Sequence, residues 1–163
     1  MILVTVGTQL PFDRLIGYIN EWCSLEKSPP QLTVQVGDSN INSEYFECVK
    51  SIEPRDFSSI VTKCDFIVSH AGMGSILTAL KYSKPVVILP RSAKLGEHRN
   101  DHQFHTARSF KNTPGVYVVE SKEELFDILT RKDELVAGSL EPSGEYESLL
   151  SHIHNVILEK GRR

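Results

Sequence analysis

Cysteine is scarce in this chain: Cys23, Cys48 and Cys64 are the only three, widely spaced and in no CxxC pair. That excludes a disulfide framework and a thiolate zinc site, and leaves the thiols as small core hydrophobes in a reducing cytoplasm. A basic excess is lacking too. With a formal net charge of -3 the chain has no cationic surplus of the kind that phosphate-backbone binding demands, so no nucleic-acid partner is expected. No apolar run approaches the ~20 residues of a membrane span, and the opening MILVTVGT lacks the basic region and long apolar core of a secretory signal. Internal repeats and low-complexity tracts are absent, as are HExxH, the P-loop and the full GxGxxG fingerprint.

What is present is globular composition. The 163 residues, 40% hydrophobic and 24% charged, suffice for one domain with its own core. Nearly continuous β-branched runs recur: ILVTV, LTVQV, YFECV, DFIVS, PVVIL and GVYVV. Strands without polar alternation are buried on both faces, which predicts a parallel sheet covered by helices, a doubly wound, Rossmann-like α/β domain.

Segments with helical period lie between most of these runs. Pro11 suits the first turn of a helix that buries Leu15, Ile19 and Trp22. The stretch GDSNINSE reads as a loop, EPRDFSSIVTKC as a short helix turning Phe57, Ile60 and Val61 inward, and GSILTALKYS as another, closed by Lys84 and Pro85. A loop-rich stretch begins near Thr130. Over about 143–160, Tyr146, Leu149, Leu150, Ile153, Val156 and Ile157 form an apolar stripe, a helix that packs on its own sheet or crosses to a partner.

Ligands of open α/β sheets bind beyond the carboxyl ends of the strands. Four polar, Gly-rich clusters leave those ends: Gly7, Thr8 and Gln9 after the first strand; Gln35, Gly37, Asp38 and Ser39 after the second; Ser69 to Ser75 after the fourth; Arg91 to Gln103 after the fifth. In SHAGMGS, Gly72 and Gly74 remove Cβ bulk just where a helix begins. Its free N–H groups, its positive dipole end and the Ser75 hydroxyl suit a phosphate; the same spacing also fits a plain tight turn. His70 either donates to that phosphate or caps the turn. Arg91 and Lys94 are placed to meet a diphosphate or stand as solvated surface charges. His98, His102 and His105 share a helical face on which a metal could sit, although no thiolate or HExxH accompanies them. Alternatively Asn100, Asp101, His102 and Gln103 present directional groups for sugar hydroxyls.

Taken together, VTVGTQLPFDRLI, VQVG, SHAGMGSILTAL and PVVILPRSAKLGEHRNDHQ resemble the glycosyltransferase family 28 C-terminal domain, the donor-binding half of GT-B enzymes. The likeness runs from Met1 to about Phe110 and is nearest to stand-alone versions. These are the smaller subunits of two-component exopolysaccharide glycosyltransferases and of the dolichyl-diphosphate N-acetylglucosaminyltransferase. The resemblance implies a single donor-binding domain over 1–163 that takes a UDP-sugar, its diphosphate against Ala71, Gly72, Met73, Gly74 and Ser75 and near Gly7 and Thr8. It implies that Asp101 and Gln103 contact the sugar or hold their loop, and that His70 of HAG lies by the nucleotide or phosphates. Thr78 stands where many relatives carry a ribose-binding glutamate, so a bidentate contact is lost.

A GT-B enzyme closes two Rossmann-like halves, and this length forms one. The expectation is therefore a cytoplasmic subunit without cofactor or metal, recruited to the membrane by an acceptor-binding partner that presents a lipid-linked sugar. His70 is its sole candidate base, the partner the other source. A non-catalytic nucleotide-sugar-binding module is the alternative from another class. A dinucleotide oxidoreductase is disfavoured by the incomplete glycine fingerprint, although Asp38 lies near the second strand's end.

Overall fold

In a computed structural model the chain builds a six-stranded, all-parallel sheet, and the structure describes residues 1–139. The order of elements is β1 (Ile2–Thr5), α1 (Asp13–Leu25), β2 (Leu32–Gln35), β3 (Glu47–Val49), α2 (Pro54–Lys63), β4 (Phe66–His70), α3 (Met73–Lys81), β5 (Val86–Leu89), α4 (His102–Phe110), β6 (Val116–Val118) and α5 (Lys122–Thr130). Across the sheet the strands run β3-β2-β1-β4-β5-β6. Winding therefore reverses at β1, whose Ile2 pairs with Leu32 of β2 on one side and Phe66 of β4 on the other. The doubly wound reading of the sequence holds.

Both faces of the sheet are apolar, which is why its strands lack alternation. Ile2, Val4, Val68, Val87 and Leu89 pack with Leu15, Ile19 and Trp22 of α1 and Leu125 and Leu129 of α5. Leu3, Ile67, Val86 and Ile88 face the other way, onto Val61 of α2, Ile76 and Leu80 of α3 and Phe110 of α4. Cys23 and Cys64 are buried and Cys48 is half-buried, all three unbridged.

Three local expectations shift. Pro11 does not enter the first turn, because Phe12, fully buried, is the N-cap and α1 starts at Asp13. Of the α2 trio, Val61 is buried in the core whereas Phe57 and Ile60 are only half-buried. His98 precedes α4 rather than sharing its face, so the i, i+4, i+7 histidine row is not on one helix. The apolar stripe expected over 143–160 lies outside the described residues. Among those described, no helix is long and apolar enough to cross a membrane.

Candidate functional site

The carboxyl ends of β1, β2 and β4 meet at the point where winding reverses, and a cleft of about 570 Å³ opens there. Its floor is the end of β4. His70 stands between two glycines that leave no room for a side chain. A Cβ on Gly72 would lie 2.1 Å from His70 Nε2, and one on Gly7 would lie 2.6 Å from His70 Cε1. Gly7 also has φ +79°, so its turn suits glycine on backbone grounds. Behind the ring, Thr5 Oγ1 donates to Gln35 Oε1 at 3.0 Å, Gly7 N donates back to Thr5 Oγ1 at 3.2 Å, and Gln35 Nε2 reaches Gly7 O at 3.4 Å. Gln35 thus lines the cleft while anchoring its glycine turn.

Burial is the chief cause that lowers the His70 pKa to about 4, and the nearby Arg91 charge adds to it. The imidazole is neutral at physiological pH. Its Nδ1 and that of His98 are buried without a hydrogen-bond partner among the described residues. The His98 ring meets the His102 ring edge-on at 4.4 Å between centroids, and both line the cleft. Among the described residues no group of three or more His, Cys, Asp or Glu is arranged to hold a metal.

One wall of the cleft is the first turn of α3. Gly72 is its N-cap, and no side chain caps the turn. The N–H groups of the first turn lack intrahelical acceptors, so they and the positive dipole end face the cleft lined by Met73, Gly74 and Ser75. Thr78 lines the same wall one turn on, its hydroxyl donating to Gly74 O at 2.7 Å. Ile52 from the β3–α2 connection and Pro54 and Phe57 from the start of α2 bring apolar surface to the cleft. No carboxylate lies among the described lining residues, so the cleft's charge balance favours an anion.

Several expected site residues take other places. Arg91 lines the cleft but is only 2% exposed, and both terminal nitrogens of its guanidinium are occupied by backbone carbonyls, so it is not a solvated surface charge. Lys94 is exposed and outside the cleft. Asp101 accepts from Ala93 N at 2.8 Å and Gln103 Oε1 from Arg91 N at 3.1 Å, so both hold the loop, and of the two only Gln103 lines the cleft. Asn100 Oδ1 accepts from His102 and likewise stays outside. Ser69 is buried with its hydroxyl on His70 O at 2.7 Å, and Ala71 sits in the core. Gly37 and its neighbour Asp38 are engaged with Lys50, away from the cleft.

A second lock ties the loop after β5 to α1. Arg14 donates to Glu97 through Nε at 2.7 Å and Nη2 at 2.8 Å, and Glu97 Oε2 also accepts from Ser92 N at 2.8 Å. The two side chains are 17% and 11% exposed. Glu97→Ala leaves that cation nearly buried and unpaired, and is expected to lower stability by about 2–3 kcal/mol in urea unfolding.

Strand order, switch-point cleft and uncapped helix terminus together define a Rossmann-like domain with an open crevice at its switch point. The glycosyltransferase family 28 C-terminal domain matches residues 1–143, and the chain belongs to that family. A UDP-N-acetylglucosamine transferase subunit ALG13 from Yarrowia lipolytica is 26% identical over 163 residues, covering 93% of this chain and 72% of the relative. The solution structure of ALG13 superposes with a TM-score of 0.60 at 19% identity, over 90% of this chain and 91% of that one. The kitacinnamycin glycotransferase has the same fold over 94% of this chain, at a TM-score of 0.60 and 17% identity, and there the chain spans 38% of its counterpart.

Proposed function

We propose that this chain is the donor-binding catalytic subunit of a two-component glycosyltransferase, which moves a sugar from a UDP-sugar to a lipid-linked acceptor. The uncapped first turn of α3, opening into a carboxylate-free cleft at the switch point, carries the reading. A diphosphate seated there would be met by first-turn N–H groups and the Ser75 hydroxyl. Ile52, Pro54 and Phe57 offer a flat apolar wall to a nucleobase, and the names of the ALG13 relatives support N-acetylglucosamine as the sugar.

In the inverting reaction we envisage, an acceptor hydroxyl attacks the anomeric carbon, the bond to the diphosphate breaks, and a base takes the hydroxyl proton. Negative charge grows on the departing UDP, where α3 can stabilise it with protein donors alone. A neutral His70 with lowered basicity suits a hydrogen bond to a phosphate oxygen better than proton abstraction. The base is therefore assigned to the partner, a membrane-associated acceptor-binding subunit that recruits this chain to the cytoplasmic face.

Calorimetric titration of the purified chain tests this reading. UDP and UDP-N-acetylglucosamine are expected to bind and NAD is not, with negligible transfer until the partner is added. Binding of NAD alone would overturn the donor assignment, and robust turnover by the isolated chain would overturn the need for a partner. The absence of a carboxylate from the described lining residues also favours a second reading, a regulatory nucleotide-sugar module. In that case His70→Asn leaves the activity of the reconstituted complex unchanged.

A further inference from the structure

We infer that Arg91 is the positioning residue of the cleft, a buried clamp that ties the wall after β1 to the wall after β5 and so sets the shape offered to the ligand. Its Nη2 donates to Val6 O at 2.8 Å and Leu10 O at 2.6 Å, and its Nη1 to Pro11 O at 2.5 Å and, more weakly, to Glu97 O at 3.3 Å. Three of these carbonyls belong to the connection that carries Gly7, Thr8 and Gln9 into the cleft. Among the described residues, the hydrogen bonds accepted by Leu10 and Pro11 both come from Arg91.

The guanidinium lies 4.6 Å from the centroid of the fully buried Phe12 ring, which backs the fork from below. On the opposite wall the Arg91 main-chain N–H is held by Gln103, itself a lining residue. The two terminal nitrogens of a planar fork reach four carbonyls here, whereas a lysine ammonium has three donors on one nitrogen and cannot span both pairs.

Burying a cation costs free energy unless its surroundings repay it. Here Glu97 gives its carboxylate to Arg14, so within the trio of Arg14, Arg91 and Glu97 one positive charge is left unmatched behind the cleft. Burial lowers the Arg91 pKa to about 10, offset in part by Glu97, and the group stays charged at neutral pH. The groups that act on His70 are Arg91, His98 and His102, which oppose its protonation, and the Thr5 main chain, which favours it. Arg91 therefore shapes the cleft and adds to its positive potential while both of its terminal nitrogens are committed to main-chain carbonyls.

The part of this inference that concerns ligand affinity rests on the donor reading above; the part that concerns the wall does not. The test compares Arg91→Lys and Arg91→Met with the wild-type chain by amide hydrogen exchange, NMR titration of the His70 ring and calorimetry with UDP. Both variants are expected to exchange the Val6 and Gly7 amides, which donate to Gln35 O and Thr5 Oγ1, at least tenfold faster while the amides of β4 and β5 are unmoved, and to bind UDP at least tenfold more weakly. Both variants loosen the wall and so relieve His70 burial alike, but only Arg91→Met removes the charge, so its His70 titration is expected to lie at higher pH than that of Arg91→Lys, a difference that loss of packing common to both would not produce. Wild-type exchange at Val6 and Gly7, or UDP affinity within twofold of a binding wild type, overturns the proposal. Failure of both variants to fold overturns it equally, since Arg91 then serves stability alone. If wild type does not bind UDP, the donor reading fails, and the exchange and titration results still decide the positioning role.

Discussion

Gly74→Val abolishes UDP binding, by 100-fold or more, without unfolding the chain. Gly74 is the second residue of α3, exposed, and not in the left-handed region of backbone space. A Cβ there meets no atom within 4 Å. On an exposed helical position valine is slightly more favourable than glycine, so the melting temperature is expected to stay within about 2 °C of wild type. Gly74 lines the cleft, so a side chain there occupies space beside the first-turn N–H groups. An anion bonded to those groups must approach to about 2.9 Å, and an isopropyl group at Gly74 holds it off. Gly72 is a poorer probe, because a Cβ there would collide with the His70 ring and alter two features together. Calorimetry with UDP, paired with a thermal melt, reads both halves of the expectation. Undiminished binding by a folded Gly74→Val chain would remove the α3 terminus from the donor site.

The central strands β1, β4 and β5 were legible because they are buried on both faces, so that ILVTV and PVVIL announce a parallel sheet without help from tertiary contacts. The edge carrying the site followed from the same pattern, since Gly7, Gln35 and the Gly72–Ser75 turn all leave strand ends. Individual roles were harder to read. Phe57 is apolar and at helical spacing, which cannot tell a core position from the wall of a cleft. Ile52 and Pro54 followed a strand as the other clusters did, yet they carried no polar group to mark them.

Arg91 shows the limit most plainly. A cation in a Gly-rich loop reads as a ligand contact, and nothing local reveals that its acceptors are carbonyls about 80 positions earlier in the chain. Gly72 reads as a site of close approach for a ligand and Gly7 as a strand-end residue near it, whereas the steric demand the structure displays at both is that of the His70 ring between them.

That ring carries the second large expectation, a loss of stability in mild acid that depends on one side chain. In the folded chain the His70 pKa is lowered to about 4 from an ordinary 6.5, chiefly by burial and then by Arg91. Between those values the unfolded chain binds a proton that the folded chain refuses, so stability falls as the pH drops through this window and is fully present above it. The full interval corresponds to about 3 kcal/mol, most of it spent by pH 4.5.

His70→Asn removes the titrating group and keeps a side chain small enough for the slot between Gly7 and Gly72. Urea unfolding at pH 7.0 and pH 4.5 should show wild type losing roughly 2 kcal/mol more than the variant over that interval. An equal loss in both would mean that the imidazole is solvated when protonated and that the slot is open. A larger loss in wild type fixes the ring as neutral where the protein works. His70 would then meet a diphosphate as a hydrogen-bonding group, leaving the cleft's positive charge to Arg91 and to the helix terminus.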